Sequence, residues 1–157
     1  MQSAQALALI LANTIMTGQY SRGLGQIASE YTKFGHEEIL RPMRSASRLA
    51  GHHVTPETMS SLGDGKTPAS ALAIASCALQ SSEGRFDEAL RVAVSHPGNR
   101  VVTGALAGAI IGADFEGIDT IPPDWIRSFA RVLDDFVVVP RPEAGGNSRE
   151  ENFGLCS

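Results

Sequence analysis

Several things are scarce in this 157-residue sequence, and each shortage excludes something. Cysteine occurs only at Cys77, inside an apolar run, and at Cys156, beside the C-terminus. Two thiols so placed make neither a disulfide framework nor a zinc-ligand spacing. Aromatic residues make up 6% of the chain, whereas alanine and glycine are abundant. Thin side chains let two helix backbones come near each other, so this balance suits closely packed helices. The apolar stretch "ALALILA" near the N-terminus is too short to cross a bilayer and follows no basic segment. It reads as a core helix of a cytoplasmic protein, with no membrane partner expected. Positive charge is not in excess: the net charge is −4, which argues against direct binding of nucleic acid. Period-two alternation is missing outside "DFVVVP", so the expected fold class is all-α.

What is present is an ordinary globular composition, 43% hydrophobic and 19% charged, at a length that suits one compact domain. The expected domain covers residues 1–139, followed by a polar tail over 140–157 rich in Pro, Gly, Asn and Ser. Apolar residues at helical spacing predict helices over 4–17, ended by Gly18, and over about 22–34, ended by Gly35. Between 36 and 67 the pattern predicts only short helical pieces, punctuated by Pro42, Gly51, Pro56, Gly63 and Gly65. Thr67 with Pro68 marks the start of a helix to about residue 81. Further helices are predicted over 86–95, 99–113 and 122–136.

Candidate chemistry is thin. No "GxSxG" is present, and "GDGK" at 63–66 lacks the length of a phosphate loop. His52 and His53 are adjacent, so their side chains diverge, and His36 with Glu37 and Glu38 lacks the paired histidines of a zinc helix. The informative stretch is "SHPGNRVVTGALAGAIIGAD", residues 95–114. There Gly98-Asn99 reads as a turn and helix cap, with His96 placed to hydrogen-bond it. Gly104, Gly108 and Gly112 fall on one helix face suited to a close neighbour. Val101, Val102, Ile110 and Ile111 are expected to fill the core and close any pocket.

The run from Ser70 to Ile126 resembles the C-terminal part of the ADP-ribosylglycohydrolase family. The resemblance is carried by Phe86, Ala89, Leu90, Ala93 and Val94, then by Gly98, Thr103 to Leu106, Gly108, Gly112 and Ala113, then by Ile121, Pro122 and Trp125. It implies a compact, truncated all-helical fold, in a family that removes ADP-ribose from proteins or small molecules with two magnesium ions. The family's "D-x-D-[ST]" metal ligands fall here on Asn99, Val101 and Val102, and its N-terminal "D-D-T" falls on Met1, Gln2 and Ser3. Magnesium demands oxygen ligands, commonly carboxylates, and an amide replaces one poorly while a valine cannot. Arg100 between the lost ligands adds an opposing charge. The resemblance therefore implies no bound cofactor, no catalytic residues and degenerate metal positions.

That leaves an expected pseudoenzyme: a helical scaffold that binds a protein partner as an inhibitor or regulator. Stripped-down proteins of phages and other mobile elements, including anti-defence inhibitors, offer the analogy. Residues expected at a ligand or partner contact are His96, Asn99, Arg100, Asp114, Glu116, Asp119 and Asp124. The acids among them belong to a C-terminal third, 111–157, that holds four basic against nine acidic residues and would suit a basic, nucleic-acid-binding partner. The alternatives are a residual binder of ADP-ribose or a nucleotide, and a magnesium-dependent hydrolase that borrows its ligands from a second subunit. The family's first helix has no counterpart before Met1, so a homodimer, or the chain's own tail, is expected to cover the groove left behind.

Overall fold

A computed structural model describes the fold of residues 2–136, and those residues are helical and strand-free. The chain divides into a unit ending at Pro123 and a second beginning at Asp124. The first unit is built around α5 (Pro68–Ser81), in which every residue from Ala71 to Leu79 is buried. A helix that is apolar all round belongs at the centre of a bundle. It is surrounded by α1 (Gln2–Thr17), α3 (Glu37–Ala50), α6 (Phe86–Ala93) and α7 (Arg100–Gly112). The start of α5 follows from its sequence: Thr67 Oγ1 accepts the Ser70 N–H at 3.2 Å, and Pro68 fills the first helical position.

The hairpin of α1 with α2 (Tyr20–Phe34) forms as expected across Gly18, whose φ of +69° is the left-handed conformation that favours glycine. A second glycine sets the distance between the two helices. A Cβ at Gly23 would lie 2.6 Å from the Ile10 carbonyl oxygen and 2.6 Å from the Thr14 hydroxyl, so α2 rests directly on the backbone of α1.

The region between 36 and 67 is more regular than its breakers suggest. Residues 37–50 form one continuous helix, α3, with Pro42 inside it. Ile39, Leu40, Met43 and Ala46 line one face and are buried, so packing against α5 outweighs the helix-breaking tendency of a proline near the helix start. After α4 (Pro56–Ser60), capped reciprocally by Thr55 and Thr58, the chain runs through a loop with Gly63 and Gly65 at positive φ. A further helix not anticipated in the sequence, α8 (Phe115–Asp119), follows α7. Helix α9 (Pro123–Phe136) begins where Pro122-Pro123 predicts it, and in the second unit Asp124 pairs with Arg127 one turn on. Cys77 is fully buried and burial pushes its thiol up to about 11, which makes it a packing residue. Cys156, the expected tail from 140 and most of "DFVVVP" lie outside the described residues.

Candidate functional site

The turn between α6 and α7 is fixed by a buried polar chain. Gly98 N–H donates to His96 Nδ1 at 3.0 Å, so the imidazole proton sits on Nε2. Nε2 lies 3.0 Å from Thr103 Oγ1, which in turn donates to the Ala93 carbonyl at 2.8 Å. His96 and Thr103 are both fully buried. Burial, reinforced by the Arg100 charge, holds His96 below the usual histidine value, which favours the neutral ring that these bonds require. Arg100 also donates from Nε to the His96 carbonyl at 2.8 Å.

A loop far away in sequence seats on this turn. Asn99 N–H donates to the Asp64 carbonyl at 2.7 Å, and any side chain at Gly98 would overlap the Asp64 backbone. A Cβ at Gly65 would fall 2.9 Å from Thr103 Cγ2. The Asp64 carboxylate turns outward, accepting the Lys66 N–H at 3.0 Å and pairing with the Lys66 ammonium at 3.2 Å. Its pKa is lowered chiefly by those hydrogen bonds. This loop was not singled out by sequence reasoning as part of the site. The one local signal was the pair of glycines flanking an aspartate, which announces close backbone approach.

Next to the turn lies a cleft of about 390 Å³ where three helix starts meet. Ser3 comes from α1, Thr67 from the cap of α5, and Asn99 and Val102 from the head of α7; Lys66 and Leu106 complete the part of the lining that matters here. Residues 99 and 102 of the degenerate turn thus face the start of α1 across one space, although some 95 positions separate them in the chain.

A family model described as ADP-ribosylglycohydrolase matches residues 1–143. The chain belongs to the ADP-ribosylglycohydrolase family. No curated protein and no solved structure was found to match it. Membership makes this a relative of hydrolases, with an all-helical fold.

The residues present do not fit magnesium. The cleft offers the hydroxyls of Ser3 and Thr67, the amide of Asn99, the ammonium of Lys66 and aliphatic carbon, with no carboxylate in its lining among the described residues. Asn99 Oδ1 is already engaged, accepting the Val102 N–H at 3.4 Å as the cap of α7. A dication stripped of water needs anionic oxygen to offset that cost, and an ammonium at the rim opposes it.

Two expectations about this site are corrected. Val101 and Val102 do not fill the core: they are 82% and 39% exposed, and the cleft stays open. The helical period explains this, because Thr103, Ala107, Ile110 and Ile111 take the inward face of α7 and turn the two valines outward. The second concerns two contact candidates that are buried and engaged within the fold. His96 is sealed in the chain described above. Asp114 is 6% exposed, with Oδ2 accepting the Tyr20 N–H at 2.7 Å and Oδ1 accepting those of Glu116 and Gly117 at 2.9 Å. It clamps the starts of α2 and α8 together, a structural role. Of the remaining candidates, Arg100, Glu116 and Asp119 are exposed in the first unit, Asn99 is half-buried, and Asp124 is exposed in the second. His52 and His53 are exposed, and His36 packs on the Tyr31 ring at a centroid distance of 4.9 Å. Among the described residues no helix is long and apolar enough to cross a membrane.

Proposed function

We propose that this ADP-ribosylglycohydrolase-family chain has lost magnesium-dependent hydrolysis and acts by binding a protein partner as an inhibitor or regulator. The observation that carries this reading is the lining of the cleft, where Ser3, Lys66, Asn99 and Val102 stand at the meeting of α1 and α7 and no described residue offers a carboxylate. A role against a host defence, on behalf of a phage or other mobile element, rests on analogy with similarly stripped-down proteins. The test is incubation with an ADP-ribosylated substrate and magnesium, alongside thermal unfolding with each ligand. The reading expects no release of ADP-ribose and no magnesium-dependent rise in Tm, since any ligand selective for the native state raises its stability. Magnesium-dependent release overturns it.

A second reading, retained binding of ADP-ribose or a nucleotide without hydrolysis, is favoured by one feature: the cleft is open and mixes apolar walls with Lys66, Ser3 and Thr67. A rise in Tm with ADP-ribose alone supports it over the first.

A further inference from the structure

A second recess, of about 710 Å³, opens between α2 and α3 and shares no lining residue with the cleft. Its floor is apolar, made by Leu24, Leu40 and Met43. Arg44 and Arg48, one turn apart on α3, stand along one side, and no carboxylate among the described residues lines the space. Arg44 makes an exposed pair with Glu37 at 3.3 Å, an interaction that water largely screens. Arg48 has no hydrogen-bond or ion-pair partner among the described residues.

The opposite wall carries an independent sign. Gly25 lies inside α2, where glycine weakens a helix relative to alanine. Nothing in the described fold asks for it: its φ is not in the left-handed region, and a Cβ there would meet no atom of the described residues within 4 Å. Gly23, two residues earlier, is the contrast, since α1 leaves it no room for a side chain. The space spared at Gly25 therefore faces outward, on a wall of small residues completed by Ser21 and Ala28. That wall is about 10 Å long, two helical turns.

The geometry points to a docking groove for an amphipathic helix of a protein partner: an apolar face on Leu24, Leu40 and Met43, close backbone approach at Gly25, and acidic residues along the edge that meets Arg44 and Arg48. Helix-in-groove recognition combines these elements, and the charge pattern selects an acidic edge. This inference rests on the protein-binding reading above and names the chemistry of its partner.

The test is selection of displayed helical peptides of about four turns, randomised along one face, against the full chain. The expected peptides carry an apolar face with Asp or Glu on one flank. Their affinity falls about tenfold or more on Gly25→Leu, and likewise on the double variant Arg44→Glu/Arg48→Glu. Gly25→Ala supplies a folding control, because it should raise Tm by up to a few degrees while weakening the peptides. The inference is overturned if no peptide is recovered, if the recovered flank is basic or uncharged, or if the variants bind as the parent does. It is also overturned if the groove is filled by a second copy, read as a dimer that Gly25→Leu converts to monomer. Release of ADP-ribose by the same preparation would overturn the loss of hydrolysis separately, leaving the groove result to stand on its own.

Discussion

Helix α7 meets the rest of the molecule in two ways. Along its body, Gly104, Gly108 and Gly112 lie against Val94 at the C-cap of α6 and against Leu90 and Phe86 within it, and a Cβ added at each would stand 2.9, 3.4 and 3.9 Å from those side chains. At its head, Asn99 and Val102 face an open cleft, Val101 faces solvent, and the backbone around them is tied to the Asp64 loop. The body is fixed by how closely its backbone meets α6, while the side chains of the head meet open space. Positions that set the distance between backbones answer to packing, and positions that face a cleft or solvent do not. A fold of this kind can keep its seams and change its chemistry.

The largest expected effect falls where head and loop are fused. Gly98→Ala puts a methyl into the Asp64 backbone, which cannot retreat without breaking the 2.7 Å bond to Asn99. It should cost about 3 kcal/mol or more, near the top of the range for single substitutions. Gly112→Ala at the far end of the seam has room for its methyl and gains helix propensity, so it should be neutral or stabilising by up to about 1 kcal/mol. Urea denaturation of the two variants checks the contrast, and equal losses would break it.

Thr103→Val comes next. It keeps the volume and removes the hydroxyl that links His96 to the Ala93 carbonyl, leaving buried polar groups without partners. The expected loss is about 1–3 kcal/mol. It should be read by the same titration, with Val102→Thr on the exposed side as a near-neutral reference.

Much of the seam was legible in the sequence, and little of the head. Period 3.6 places α1 and α2, which bury one stripe each, while α5, buried all round, is placed by its Thr67–Pro68 start. It underrates α3, where Pro42 reads as a break and only the packing of Leu40 and Met43 restores the helix. Five-residue α8 carries no periodic signal at all. The valines were misplaced by composition: apolar residues at a helix start look like core, yet Thr103, Ala107 and Ile110 already define the inward face and exclude 101 and 102. The seat of the Asp64 loop on Asn99 joins residues 35 apart through backbone atoms, which no side-chain pattern announces. The recess between α2 and α3 was hidden for the same reason, since it depends on how far two helices diverge.

A smaller effect is expected from pH. His96 is held below the ordinary histidine value of 6.5, by burial first and by Arg100 second, with Asp64 opposing. A group whose folded pKa is depressed binds its proton more readily in the unfolded chain. Its contribution to stability is therefore complete above pH 6.5 and is lost as the pH falls through the lowered folded value. Protonation also costs the Gly98 N–H its acceptor at Nδ1. Denaturation midpoints should drop on acidification below pH 6.5 in the parent and drop less in His96→Asn, once the baseline loss of that variant is subtracted. Parallel curves would show that the ring's protonation is not coupled to the turn.

The smallest expected effect is the sharpest test of the comparison between seam and head. Val101→Asp would be ruinous if this valine were part of the core, because an unpaired buried carboxylate costs several kcal/mol. With the side chain 82% exposed, the substitution should change stability by no more than about 0.5 kcal/mol, and the nearby Arg100 charge works in its favour. The double variant Asn99→Asp/Val102→Asp, at two positions that line the cleft, should keep the fold while placing acids at the head of α7. A magnesium-dependent rise in its Tm, with none in the parent, would show that side chains and not shape keep the cation from the cleft. A loss of several kcal/mol in Val101→Asp would instead mean that the head of α7 is packed as tightly as its body.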